Sequence, residues 1–162
     1  MKKTDVRLYN VIFPVWLLWI IPVTWLVVIP ANLLIDFTVI YVTMRCMGVE
    51  NRKEEVKKSI IAVWLLGFAA DFIGTAIMFV PALLDMNYDM VDGIMMNPFS
   101  NIWALVWVTG SFVVATACIY FFNYKVCYKH TDLNNCQKRK LALNMTIFTA
   151  PYLFYLPSEW FY

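Results

Sequence analysis

Two aspartates interrupt long apolar stretches of the chain, and they are the residues best suited to carry chemistry. Asp36 lies six residues after Pro30, and Asp71 lies in the middle of the apolar run 59–81. A charged carboxylate at the centre of a bilayer costs about 2.5–3.5 kcal/mol on insertion scales, so such a side chain seldom faces lipid. Each aspartate therefore needs a partner, water or a proton, and each is a candidate for binding a proton or a cation.

Helical periodicity predicts which neighbours share a face with these acids. At about 100° per residue, polar or small side chains recur on one side of three predicted helices. The sets are Asn32, Asp36 and Thr43; Gly67, Asp71, Gly74 and Met78; and Thr109, Thr116 and Asn123. Because small residues allow close helix approach, we expect Asp71 to point into a bundle whose three polar faces meet around one wet interior. The predicted proton- or cation-binding residues are Asp36, Asp71, Asn32, Thr43, Thr109 and Thr116.

The sequence offers these acids no cationic partner in the outer half of any predicted span. Two close carboxylates in a low dielectric cannot both stay charged, so one of them would hold a proton. This arrangement suits a proton or cation pathway. The alternative interpretation is that each aspartate bonds to Thr, Asn or a free backbone carbonyl and only fixes helix packing.

Enzyme chemistries fit the sequence poorly. An intramembrane aspartyl protease would need Tyr-Asp and Gly-x-Gly-Asp, whereas the chain has Ile35-Asp36 and Ala69-Ala70-Asp71. A lipid-directed enzyme would need a histidine- or serine-based constellation, but the only histidine, His130, lies in a predicted cytoplasmic loop. We therefore predict no catalytic residue, no enzyme activity and no cofactor.

Metal sites are also not predicted. Four residues with zinc-binding side chains could gather at the inner surface, but their C-x2-H-x5-C spacing lacks a recognised pairing; they are Cys46, Cys127, His130 and Cys136. The loop 85–96 alternates oxygen donors, yet Met90 and Met96 occupy the positions where a calcium loop needs glycine and glutamate.

Composition and charge placement predict the class of protein. The chain of 162 residues is 62% hydrophobic and 15% charged, against about 45–50% and about 25% in soluble domains, so we expect lipid as its solvent. Its thirteen Lys and Arg residues form three clusters beside apolar runs, as expected for cytoplasmic loops rather than for a nucleic-acid surface. The clusters are Lys2, Lys3 and Arg7; Arg45, Arg52, Lys53, Lys57 and Lys58; and Lys125, Lys129, Lys138, Arg139 and Lys140.

The apolar runs predict an all-α, polytopic transmembrane bundle that forms a single domain. Its five spans are expected at about 8–28, 31–47, 59–81, 101–123 and 141–157. The run 8–47 is predicted to fold as a hairpin turning near Ile29–Asn32, because Pro30 can start a helix and because the hairpin keeps every basic cluster on one side. The prediction is a multi-pass protein of the cell membrane with the N-terminus inside and the C-terminus outside.

Three local patterns complete this prediction. The N-terminal apolar run contains three prolines and no cleavage pattern, so we expect a retained span rather than a signal peptide. The stretch 50–58 alternates charge signs and predicts a solvated extension of the third span. Aromatic residues are expected at the two interfaces, with Trp64, Tyr120, Tyr124 and Tyr128 at the inner one.

The run from Asn10 to Trp19, with the following Pro22–Leu26 and Pro30–Asp36, resembles the opening of small hypothetical membrane proteins of Gram-positive anaerobes. The resemblance covers mainly the first predicted hairpin. It implies that Pro30, Asn32 and Asp36 belong to one motif, and it implies no activity.

The sequence thus predicts a small transport or channel component that handles a proton or cation through Asp36 and Asp71. Its expected partners are the lipid bilayer and either further copies of the chain or another membrane protein, because five short helices enclose little room. The alternative prediction is a non-catalytic subunit or assembly partner of another membrane complex, whose polar stripes bind a second chain. Nucleic acid is not an expected partner.

Overall fold

The computed structural model of the chain describes residues 22–158, which contain helices and turns and no β-strand. Five α-helices follow one another in this part of the chain. We number them α1 (Pro22–Cys46), α2 (Arg52–Leu83), α3 (Tyr88–Met96), α4 (Ile102–Phe122) and α5 (Asn135–Phe148). Shorter helical segments are a 3-10 turn at Pro98–Ser100, a π-helical turn at Asn123–Cys127 and a 3-10 turn at Tyr152–Tyr155.

Three of these helices are long and apolar enough to cross a membrane. They are the segments Val28–Cys46, Arg52–Leu83 and Ile102–Cys127, of 19, 32 and 26 residues. A span of the hydrocarbon core needs about 20 residues at 1.5 Å per residue, so each segment suffices. The predicted spans at 59–81 and 101–123 therefore correspond to α2 and α4, and the all-α class is confirmed for the described residues.

The predicted turn at Ile29–Asn32 is wrong. Helix α1 runs without interruption from Pro22 to Cys46 and contains Pro30. A proline removes one backbone hydrogen bond, whereas a tight turn would leave several N–H and C=O groups unpaired in an apolar stretch. The continuous helix therefore loses fewer backbone hydrogen bonds than the turn would. The indole of Trp64 on α2 donates to the Ile29 carbonyl at 3.2 Å and joins the two helices beside the proline. Most of the predicted first span, residues 8–21, lies outside the described residues.

The predicted fifth span at 141–157 is not one continuous helix. Helix α5 ends at Phe148, and the 3-10 turn at Tyr152–Tyr155 follows Pro151. Proline disfavours helical geometry in the residue before it, which explains the break at Ala150. The segment nevertheless runs the length of the bundle, because the Ser158 hydroxyl donates to the Met95 carbonyl of α3 at 2.7 Å.

Helices α2 and α4 form the centre of the bundle, with α1 and α5 packed against them. They lie close together at Gly74, where an added Cβ would lie 2.7 Å from the Cβ of Ala115 and 2.8 Å from a ring carbon of Phe154. The expected close packing at Gly67 does not occur, since a Cβ placed there would meet nothing within 4 Å. Of these two glycines, Gly74 is therefore the one at which the helices are in close contact.

Charge is separated along the bundle. The end that carries the loop 47–51 and the segment 125–140 holds the second and third basic clusters, and we call it the basic end. Helix α3 and residues 84–100, which hold three aspartates and no Lys or Arg, form the opposite end. Between the ends, large apolar side chains point outward and are more than half exposed; they include Leu34, Ile61, Leu65, Phe72, Val106, Val113 and Phe121.

Candidate functional site

One face of α1 points into the bundle and carries the first predicted acid. Asp36 is 8% exposed and Thr43 is 6% exposed, with the fully buried Ile40 between them. Asn32, one turn before Asp36, is partly exposed. These positions recur at intervals of three or four residues, which places them on one side of a helix. The face predicted for this helix is thus the buried one.

Asp71 lies on α2, which packs against the helix that carries Asp36. Its Oδ1 atom is buried and has no hydrogen-bond partner among the described residues. A buried polar oxygen without a partner is costly. Both predicted acids therefore lie on helices that pack together in the bundle.

The acid pair has no cationic partner in the part of the chain that the structure describes. Both ion pairs there involve Lys58, at the basic end, and neither contains Asp36 or Asp71. Carboxylates inside a membrane bundle usually pair with a cation or with backbone groups. Acids without such a cationic partner are candidates for binding a proton or a cation.

The other predicted site residue of α1, Thr43, serves helix packing. Its Oγ1 accepts a hydrogen bond from the Asn144 amide of α5 at 3.2 Å. This contact joins α1 to α5 on the buried face that also carries Asp36.

The two threonines of α4 do not join the acids. Thr109 is exposed, donates to the Leu105 carbonyl at 2.7 Å and accepts from the Tyr155 hydroxyl at 3.1 Å. Thr116 donates to the Phe112 carbonyl at 2.7 Å. The inward face of α4 is instead formed by small or apolar residues, and it lies roughly 100° around the helix from the threonine stripe; these residues are Ala104, Val108, Ser111, Ala115 and Ile119. The expectation of three polar faces around one interior is therefore wrong for α4.

Two polar residues at the end of α4 are buried. Asn123 belongs to the polar stripe predicted for this helix, whereas sequence reasoning did not predict the burial of Tyr128. Asn123 and Tyr128 are 2% and 0% exposed, and neither the Asn123 Oδ1 nor the Tyr128 hydroxyl has a hydrogen-bond partner among the described residues. The prediction that Tyr128 lies near the inner interface stays a prediction, but its ring does not face outward: after the π-helical turn it lies in the core cluster with Ile40 and Met44. No sequence signal marks that turn.

A second polar cluster, also missed, lies at the basic end. Glu55 is 3% exposed, so the predicted solvated character of the stretch 50–58 does not hold at this position. Its Oε1 accepts from the Lys58 ammonium at 2.7 Å, and its Oε2 accepts from the Asp132 backbone N–H at 2.8 Å. Lys58 also lies 2.7 Å from the Asp132 carboxylate. All the groups in this cluster are paired, so we regard it as a structural clasp.

The residues considered as metal ligands remain apart. Within residues 22–158 no three His, Cys, Asp or Glu side chains come together as a metal site would require. Asn87, one of the oxygen donors of the loop before α3, caps that helix by accepting from the Asp89 and Met90 N–H groups at 2.9 and 3.3 Å. Its side-chain oxygen therefore already accepts hydrogen bonds from the backbone.

Comparison of the chain with protein-family models, with curated proteins and with solved structures finds no match. A function has to be argued from the residues themselves. The most distinctive of them are the acids at positions 36 and 71, together with the unpartnered oxygens of Asn123 and Tyr128.

Proposed function

We propose that this chain is a small multi-pass protein of the cell membrane in which Asp36 and Asp71 together bind a proton or a cation during transport. The observation that carries the proposal is the presence of two acids on packed helices of an apolar bundle, Asp36 buried and Asp71 with a buried, unpartnered Oδ1, neither with a cationic partner among the described residues. Acids in such a place are costly to insert and are functional candidates for that reason.

The membrane setting is supported by the outside of the bundle. Leu34, Ile61 and Phe72 are each more than half exposed, among many other large apolar side chains, and in water such surfaces would drive aggregation. The separation of basic and acidic ends supports an orientation with the basic end in the cytoplasm, since Lys and Arg are retained there during insertion.

The test is flux through the purified protein in vesicles. The protein is reconstituted into liposomes that contain a pH-sensitive dye, and an imposed K⁺, Na⁺ or pH gradient starts the measurement. We expect wild-type vesicles to exceed empty vesicles and Asp36→Asn to remove the excess. Asp85→Asn is the matched control, because Asp85 is exposed at the opposite end of the bundle and asparagine tolerates its left-handed backbone, with φ of 46°.

Equal flux in wild-type, Asp36→Asn and empty vesicles would reject transport through these acids. In that case, constant co-purification of a second membrane protein that dissociates on substitution of Asp36 would favour the alternative role as a subunit or assembly partner. Lipid would remain the surrounding solvent in either role.

A further inference from the structure

An open cavity of about 390 Å³ lies at the acidic end of the bundle, between the 3-10 turn before α4 and the segment that follows α5. Its volume falls within the range of small-molecule sites in proteins, about 300–1,000 Å³. Neither Asp36 nor Asp71 lines it, so it is separate from the two acids of the proposed function. Besides Asn97, its lining consists of apolar and aromatic residues, among them Phe99, Tyr152, Leu153 and Tyr155.

Three of the lining residues are aromatic, and their rings are held by further ring contacts. The Phe99 ring stacks on the Tyr155 ring, with centroids 6.4 Å apart and 30° between the ring planes. The Phe112 ring of α4 lies 5.3 Å from the Tyr155 ring and 5.6 Å from the Tyr152 ring, so it joins the two tyrosines. Rings that already pack against one another lose little freedom when a ligand binds, and the cavity is therefore a preformed site.

The hydroxyl groups of the two tyrosines already donate to other partners. The Tyr155 hydroxyl donates to Thr109 Oγ1 at 3.1 Å, and the Tyr152 hydroxyl donates to the Ile147 carbonyl at 2.6 Å. A phenol carries one donor proton, so neither tyrosine has a proton left for a ligand. The cavity thus offers mainly aromatic and aliphatic surface, which suits a ligand that brings no N–H groups of its own.

The charge at this end of the bundle is negative. The chain contains no Lys, Arg or His between positions 58 and 125 or after position 140. Asp92 of α3 lies five residues before the lining residue Asn97. The hydroxyl of Ser158, the residue after the lining residue Pro157, donates to the Met95 carbonyl and so joins α3 to the wall of the cavity. Acidic side chains without neighbouring Lys or Arg favour a cation over an anion at this position.

We propose that this cavity binds a quaternary ammonium compound that enters from water at the acidic end, with its N-methyl groups against Phe99, Tyr152 and Tyr155. An aromatic ring attracts a cation placed over its face, and the attraction is strongest where water is excluded. A quaternary ammonium has no N–H and gives up no hydrogen bond on entering an apolar cavity, whereas a primary ammonium gives up several. The inference goes beyond the proposed function and does not depend on the two buried acids.

The test is the thermal stability of the purified protein in a maltoside detergent, titrated with three small alcohols at an ionic strength kept constant with NaCl. They are choline, its uncharged carbon isostere dimethylbutanol, and ethanolamine, which carries a primary ammonium. A ligand that binds the folded state raises the melting temperature as its concentration increases. We expect choline to bind at least about fivefold more tightly than either of the others, because only choline combines the charge with the absence of N–H groups. Equal binding of choline and dimethylbutanol would overturn the proposal and leave an apolar cavity that lipid chains can fill.

Two variants place the binding in this cavity. Phe99→Leu and Tyr152→Leu each remove one lining ring, and both side chains are more than half exposed, so the fold should tolerate the changes. We expect about fivefold weaker choline affinity in each. Phe148→Leu, at an exposed ring of α5 outside the lining, is the matched control and should retain wild-type affinity.

Three results would reject the site. They are no response of the wild-type protein to choline, wild-type affinity in both Phe99→Leu and Tyr152→Leu, and an equal loss of affinity in Phe148→Leu. A response to short-chain phosphatidylcholine without a response to choline would also contradict the proposal, because it would assign the cavity to a lipid headgroup.

Discussion

The ammonium of Lys58 lies 2.7 Å from the carboxylate of Asp132, although 74 positions separate these residues in the chain. The contact joins the beginning of α2 to the segment between α4 and α5, so it brings the second and third basic clusters to the same end of the bundle. Positive charges on one side are the main determinant of membrane orientation. The folded structure and the charge pattern of the sequence thus agree on which end is basic.

Glu55 is expected to be the residue on which this clasp depends most. In Glu55→Ala the Lys58 ammonium and the Asp132 N–H each lose an acceptor, and the free energy of unfolding should fall by about 1–3 kcal/mol. Glu54→Ala, one position earlier and exposed, should change it by less than about 0.5 kcal/mol. Unfolding in mixed detergent micelles measures both values. If Glu55→Ala lowered the free energy of unfolding no more than Glu54→Ala does, the buried contacts of Glu55 would contribute nothing to stability.

The clasp should also weaken in acid. Lys58 holds the pKa of the Asp132 carboxyl below its usual value of 3.8 by hydrogen bonding and charge. A lowered folded-state pKa stabilises the fold above the usual pKa, and that stabilisation is lost as the pH falls through the folded-state pKa. The melting temperature of wild type should therefore exceed that of Asp132→Asn above the usual pKa of 3.8 and approach it as the pH falls below that value. A difference that is the same at all pH values would contradict this assignment.

Two glycines of the same helix should respond oppositely to alanine. In Gly74→Ala the new Cβ would lie 2.7 Å from Ala115, and forcing α2 and α4 apart should cost about 1–3 kcal/mol. Gly67→Ala meets no atom within 4 Å and should leave stability unchanged or raise it by up to about 1 kcal/mol, because alanine favours helix. The pair can be compared in one unfolding experiment; a Gly74 variant as stable as the Gly67 variant would mean that the helices are not in close contact.

Cysteine accessibility should report the orientation. Cys46 and Cys136 are exposed near the basic end, whereas Cys127 is buried. In single-cysteine variants we expect an impermeant maleimide to label positions 46 and 136 in inverted vesicles but not in intact cells, and Asp85→Cys to show the reverse. Cys127 should react only after unfolding. Labelling of Cys46 from outside intact cells would invert or reject the proposed orientation.

The sequence predicts the long helices of this fold well and its interruptions poorly. Runs of about 20 apolar residues predict α2 and α4, because few other structures satisfy the backbone in lipid. Pro30 predicts a turn, but α1 continues through it, and the Trp64 indole donates to the neighbouring Ile29 carbonyl. The break after Phe148 depends on Pro151, which lies inside an otherwise apolar run.

The candidate site is predicted in part for a similar reason. Helical period alone places Asp36 and Thr43 on one face, and both are buried. Thr109 and Thr116 recur with the same regularity but do not face the interior of the bundle. The buried face of α4 is formed instead by its small or apolar side chains. The burial of Tyr128 depends on a π-turn and on contacts between distant segments, which no local pattern encodes.

The proposed transport requires Asp36 and Asp71 to act as one site. A double-mutant cycle of vesicle flux tests this requirement most directly. Initial rates are measured for wild type, Asp36→Asn, Asp71→Asn and the double variant, with equal amounts of protein in each preparation. Groups that act as a unit give strongly non-additive losses. We therefore predict that each single substitution removes most of the flux and that the double variant is no slower than the slower single variant. Independent losses that multiply, or wild-type rates in any of the three variants, would contradict the account.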